Sequence, residues 1–207
     1  MTIPLLFLDV DGPLIPFGAS GGAYPTYPPA PPASVSPLLA RLDPAQGPRL
    51  AALPYELVWA TTWEDDANAW IAPRLGLPPL PWVGWPDEEP GPEGAGAGSA
   101  GTGTGAGSVA TGAGSAGTGA GSVATGAGSV GIGSGAVVGL HWKTPALLAW
   151  AGGRPFAWVD DEIGAVDHDW VAAHHPGRAL LHRVDPRRGL TAADYERLAR
   201  WAEGAGD

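Results

Sequence analysis

Apolar residues along this chain come in short unbroken runs, separated by stretches with helical punctuation. Leu5-Leu6-Phe7-Leu8 shows no alternation with polar residues, so it reads as a strand buried on both faces. Glu56 to Ala60, Pro81 to Trp85, Phe156 to Val159 and Arg178 to Val184 give four further strands. Helices are expected between them. Ser34 to Leu42 has Ser34 or Ser36 as a cap before Pro37, and Thr61-Thr62-Trp63-Glu64 has capping-box spacing at the head of a helix running to about Leu75 and stopping at Gly76. Thr144-Pro145 opens a third helix that ends near Gly152-Gly153, Asp167 to His174 a fourth, and Thr191 caps a last one reaching Glu203. Strands alternating with helices predict an α/β fold with a mostly parallel sheet in three layers.

One long segment breaks this rhythm. Thr-Gly-Ala-Gly-Ser recurs from Thr104, Thr111, Thr118 and Thr125, a period of seven. Glycine fills too many of those positions for a coiled coil, and no large apolar seam exists. A silk-like sheet is conceivable, but the composition fits a flexible, disordered insertion better. The expected organisation is a single core in two parts, residues 1–85 and 140–207, interrupted by a low-complexity insertion at 86–139. Roughly 150 residues are then left to fold, enough for one ordinary domain.

Composition narrows the classes. With no cysteine among 207 residues there is neither a disulfide framework, a disulfide-linked partner nor a thiolate metal site. The first apolar run is too short to span a membrane and has no basic lead-in, so a cytoplasmic location is expected. A net charge of −10 gives no overall footprint for nucleic acid. The charge is uneven, however: residues 1–139 carry three Arg against eleven acids, and residues 140–207 eight Lys or Arg against ten. An anionic substrate has to be held locally, by C-terminal arginines and a metal.

Candidate chemistry lies where strands end. Asp9 and Asp11 follow the first strand directly and precede a Gly-Pro turn. That end of a strand is where open α/β sheets bind ligands, and two acids there suit a divalent cation and a phosphate. Asp9 is placed to attack a phosphoryl group and Asp11 to act as acid and base, the alternative being a solvated turn. Asp160-Asp161 repeats the pattern after a second apolar strand and adds hard oxygen ligands of the kind Mg²⁺ takes. Thr61 or Thr62 offers a hydroxyl at a strand-to-helix junction, where anions bind, or else a plain cap. Lys143, the only lysine, stands just before a helix and can offset phosphoryl charge. Trp63, Trp70, Trp82 and Trp85, out of ten tryptophans, are candidates for stacking on bases or for the core. His182, Arg183, Arg187 and Arg188 are either a phosphate-contacting patch or a solvated loop.

In this order, Asp9-Val-Asp11-Gly12, Thr61, Lys143 and Asp160-Asp161 resemble the motifs of the haloacid-dehalogenase (HAD) superfamily of phosphohydrolases. The stretches 57–68, 156–162 and 184–191 are similar to the HAD-like domain of Swiss Army Knife RNA-repair proteins. The resemblance implies a three-layer α/β/α Rossmann-like core, and the short Pro-rich segment and the repeat that occupy its two cap positions predict no folded cap domain. It also implies a phosphatase working through an aspartyl-phosphate. Asp9 would be the nucleophile, Asp11 the acid/base, and Thr61 (or Thr62) with Lys143 the phosphate ligands. Mg²⁺ would be held by Asp9, the backbone carbonyl of Asp11, and Asp160, with Asp161 in support. A phosphorylated substrate is implied, bulky and such as an RNA or DNA end. The alternatives are a phosphoprotein phosphatase or a non-catalytic HAD-like binding or scaffold module.

Overall fold

A computed structural model describes residues 2–20, 24–85 and 138–204. The Gly-Ala-Ser-Thr repeat, and with it the expectation of a disordered insertion, lies outside the described residues. Four strands form one all-parallel sheet: β1 (Leu5–Leu8), β2 (Glu56–Trp59), β3 (Phe156–Asp160) and β4 (Ala179–Arg183), in the order β2-β1-β3-β4. The same sheet thus draws two strands from each side of the repeat. The helices are α1 (Gln46–Ala51), α2 (Ala72–Leu75), α3 (Thr144–Ala151), α4 (Ala165–His174) and α5 (Ala192–Glu203), with a 3₁₀ turn at Pro37–Arg41.

The unbroken apolar run of β1 is explained by its central place. Leu6 and Leu8 face a cluster with Leu50 of α1, Leu75 of α2 and Leu198 of α5. Leu5 and Phe7 face a second cluster with Leu147 of α3 and Val171 of α4. Helices therefore cover both faces, and all four β1 side chains are fully buried. The β2 partner of Leu8 is Trp59 and the β3 partner is Val159, so the carboxyl ends of the three strands lie level. From β1 the chain leaves toward β2 on one side and later returns as β3 on the other. Such a reversal opens a crevice at the carboxyl ends of the two strands it separates.

Three expected elements differ. Pro81–Trp85 is not a strand: it makes one bridge to the sheet, Trp59 to Trp82, because Pro79, Pro81 and Pro86 carry no N–H to extend a ladder. Only Pro37–Arg41 of the first expected helix forms, as a single turn capped by Ser36, whose Oγ accepts from Leu38 N at 3.4 Å. The helix expected from Thr61 starts later. Residues 62–65 are turn, Glu64 has φ +47°, and a wide π turn at Ala67–Ile71 leads into α2. Pro73 has no N–H for the carbonyl four residues back, which favours this widening. The wide turn lets Asn68 bridge outward, its Oδ1 accepting from Trp59 Nε1 at 3.0 Å and from Leu80 N at 2.8 Å. Among the described residues, no helix is long and apolar enough to cross a membrane.

Candidate active site

Asp9 is the first residue beyond β1 and Asp160 the last of β3, so they face each other across the crevice. Asp9 Oδ1 accepts from Val10 N at 2.8 Å, and Asp160 Oδ1 from Glu162 N at 2.9 Å. Their remaining oxygens share one cation. Lys143 Nζ lies 2.9 Å from Asp9 Oδ2 and 2.8 Å from Asp160 Oδ2. Lys143 is 4 % exposed and Asp160 0 %, so this triad sits in protein, not in water. Lys143 stands at the N-cap of α3 with its ammonium 5.6 Å from the Trp142 ring.

Two buried carboxylates against one ammonium leave an excess negative charge. Burial, the larger effect, pushes Asp9 up to about 8; Lys143 opposes this and Asp160 adds to it. Burial would lower Lys143, but the Asp9 and Asp160 carboxylates outweigh it and hold the ammonium above the usual lysine range. Asp161 is pushed up to about 6 by burial and by the charges of Asp160 and Glu162. Carboxylate oxygens of Asp9, Asp160 and Asp161 come within 4.8 Å of one another. Three hard oxygen donors carrying excess negative charge fit a divalent cation such as Mg²⁺. The loop after β1 makes room for them: Gly12 has φ +85°, and a Cβ there would lie 2.6 Å from the Asp161 carboxyl carbon.

Asp11 does not join that cluster. Its Oδ2 accepts from Trp63 Nε1 at 2.9 Å, and burial raises its pKa against the opposing pull of that bond and of Lys143. Thr61 lies just beyond β2 at the same edge of the sheet and is 1 % exposed; Thr62 is exposed. The Thr61 hydroxyl accepts from Trp63 N at 3.4 Å, and its carbonyl from Trp85 Nε1 at 3.0 Å. The expected carboxylates, Thr61 and Lys143 are therefore all at the carboxyl edge, whereas Thr62 faces solvent.

The basic patch comes apart. His182 Nε2 is 2.8 Å from Asp194 at the head of α5, and Arg187 is paired with Asp185 at 3.0 Å. Arg183 alone reaches the carboxylates' loop, donating from Nε to the carbonyl of Asp161 at 2.9 Å. A cleft of about 640 Å³ opens beside it, lined by Phe17, Arg183, Asp185 and Arg187 among others.

His141 gave no signal in the sequence. Its Nδ1 accepts from Lys143 N at 3.1 Å, so Nε2 carries the proton and donates to Glu162, also at 3.1 Å. Both ring nitrogens of His141 are thereby engaged, one on the backbone of Lys143 and one on Glu162. No family model, no curated protein and no solved structure matches the chain.

A pH dependence follows from Asp9. In the cation-free fold it binds a proton with a pKa near 8, against 3.8 ordinarily, so the folded state holds more protons than the unfolded one between those values. Stability then falls as pH rises through that window. His175 works oppositely, burial holding it below 6.5, so the clean interval lies above that value. With chelator present, the melting temperature should drop from about pH 7 to pH 8.5. The drop should vanish in Asp9→Asn; an equal slope in both proteins would contradict the assignment.

Proposed function

We propose that this protein is a Mg²⁺-dependent phosphohydrolase of HAD type, acting through an aspartyl-phosphate on Asp9. The observation that carries the reading is the meeting, at one crevice, of Asp9 and Asp11 after β1, Thr61 after β2, Lys143 before α3, and Asp160-Asp161 at the end of β3. Four segments far apart in sequence supply a nucleophile, an acid, a hydroxyl, a cation and a hard-oxygen ligand set. A buried triad with excess negative charge is costly to fold and gains nothing structural over an apolar core.

In this scheme an Asp9 oxygen forms a bond to phosphorus as the ester P–O bond breaks. The leaving oxygen takes the bonding pair together with a proton from the Asp11 carboxyl, whose raised pKa suits a group that must start protonated. Asp11, now ionised, takes a proton from the water that attacks the aspartyl-phosphate, and Asp9 is released. Lys143 and Thr61 hold the phosphoryl oxygens. Mg²⁺ held by Asp9, Asp160, Asp161 and the Asp11 carbonyl would offset charge building on the phosphoryl group.

The substrate is read as bulky, such as a phosphorylated RNA or DNA end. Among the described residues, the chain from Phe17 to Ser36 forms no helix or strand that could close over the crevice. Arg183, which donates to the Asp161 carbonyl, also lines the cleft at Phe17, where the rest of a large ester has room. Phosphate release from p-nitrophenyl phosphate is expected with Mg²⁺ and is expected to stop with chelator. If oligonucleotide ends are the substrate, 3′- or 5′-phosphorylated oligonucleotides should outcompete small sugar phosphates in kcat/KM. A native protein that releases no phosphate from any of these esters is not a phosphohydrolase.

A further inference from the structure

We infer that Trp63 is the positioning residue for the acid/base of this site: its indole N–H holds one Asp11 oxygen and thereby fixes the proton on the other. The inference rests on the phosphohydrolase reading and goes beyond it, since it assigns the catalytic geometry of Asp11 to a residue from another segment. Unlike Asp9, Asp160 and Asp161, Asp11 has no place in the carboxylate cluster, and its loop bends sharply at Gly12, where φ is +85°. What orients the carboxyl is the 2.9 Å bond from Trp63 Nε1 to Oδ2.

The local backbone is bent to make that bond. Had Thr61 opened a regular helix, Trp63 would sit in its first turn. Instead the Thr61 hydroxyl takes Trp63 N, Glu64 turns at φ +47°, and the helix is delayed to Ala67. A non-glycine residue held at positive φ is strained and persists where surrounding structure demands it. The body of the indole packs half-buried against the core cluster of β1 and α2, which leaves its two side-chain torsions little freedom.

The chemistry of the donor gives the bond its use. An indole N–H donates and cannot accept, so Oδ2 is an acceptor whether Asp11 is charged or neutral. The proton of the neutral acid is then confined to Oδ1, the oxygen free to face a leaving group. From there it passes to the leaving oxygen as the P–O bond breaks and the Asp9–phosphorus bond forms. Later the same oxygen takes the proton of the attacking water.

Trp63→Phe keeps the aromatic body and removes the donor. The test is kcat/KM for a series of phosphate esters whose leaving groups rise in pKa from p-nitrophenol to a simple alcohol. A good leaving group departs unaided, and a poor one needs the acid. Trp63→Phe should therefore lose only a few-fold on p-nitrophenyl phosphate but on the order of 10²-fold on the alkyl ester. Asp11→Asn should show the same steepening, and the double variant should be no worse than Asp11→Asn alone. A merely structural Trp63 would lower the whole series equally, and that result overturns the inference while leaving the phosphohydrolase reading intact. A native protein inactive on every ester overturns both. Independently of activity, the Trp63 indole N–H resonance, assigned through bonds in the native protein, should move in Asp11→Asn; an unmoved resonance also overturns the inference.

Discussion

Asp9→Asn should abolish phosphate release, by on the order of 10³-fold or more, while leaving the protein at least as stable as the native chain at pH 8. The reason for the unimpaired stability lies in the charge of the triad. Asp9 and Asp160 share the one ammonium of Lys143, at 2.9 and 2.8 Å, and burial has already pushed Asp9 up to about 8. Asparagine has nearly the same volume, and its one carbonyl can keep the bond from Lys143 Nζ while giving up the one from Val10 N. The substitution replaces a buried carboxyl that ionises near pH 8 by a group neutral at every pH, beside the Lys143–Asp160 pair. Ionising a desolvated carboxylate is no longer required, so the melting temperature in chelator should be unchanged or higher at pH 8. Mg²⁺ should raise it less than in the native protein, since one of three ligands has lost its charge. Aryl phosphate turnover and a thermal melt together decide the matter. An active Asp9→Asn would show that no bond forms at this residue.

Much of the sheet could be read from the chain because its strands are buried on both faces. Leu5–Leu8 and Phe156–Val159 have no polar residue to alternate with, and each ends abruptly in aspartates. Helices α3 and α5 were legible from Thr144-Pro145 and Thr191, although Lys143 proves to be the cap of α3 and Thr144 its first residue. The short α1 was not. It contains Gly47 and Pro48, which predict a break, and it exists because Gly47 has no Cβ where the Leu75 carbonyl would lie only 1.7 Å away. That requirement comes from α2 packing against it, and nothing local announces it. The Pro81–Trp85 run failed for the opposite reason: its apolar residues satisfy a strand pattern, but its prolines cannot supply the ladder.

The acidic members of the site were visible as strand ends, and the single lysine stood out by its rarity. Their sharing of one cation was not visible, since it needs α3 to begin beside both strands. Trp63 was legible as one of four tryptophans that could stack on bases or fill the core, and nothing pointed it at Asp11. Its bond to Asp11 depends on Glu64 at φ +47°, a conformation that the Thr-x-x-Glu spacing argues against. His141 lay hidden because its bonds run to a neighbouring backbone N–H and to Glu162. The arginines were legible as a patch in sequence, but β4 and α5 claim His182, and Asp185 pairs with Arg187. Local pattern shows which residues end at an edge of the sheet. Irregular turns decide which atoms meet there.

Lys143→Met is the second large effect, and here stability should fall together with activity. Methionine fills most of the aliphatic space but removes the one cation that, among the described residues, touches Asp9 and Asp160, the latter 0 % exposed. Breaking a buried ion group by removing one partner costs about 3–5 kcal/mol, which lowers the melting temperature of a domain this size by roughly 10–20 °C. The sign of the pH dependence follows from Asp9. Lys143 opposes the effect of burial there, so without the ammonium Asp9 is driven above about 8 and the folded state keeps its proton to a higher pH than the native protein does. The loss should therefore grow as pH rises through 8. Mg²⁺ should recover more of the melting temperature in this variant than in the native protein, because a divalent cation then meets the full negative charge of Asp9, Asp160 and Asp161. Turnover should not return with stability, since the phosphoryl group has lost its amine contact; a deficit of about 10²-fold is expected at saturating Mg²⁺. Combining Lys143→Met with Asp9→Asn should restore part of the stability that Lys143→Met alone removes, as one of the two unpaired carboxylates is then neutral. Additive losses in that double variant would mean that Lys143 is held by packing, with no coupling to Asp9.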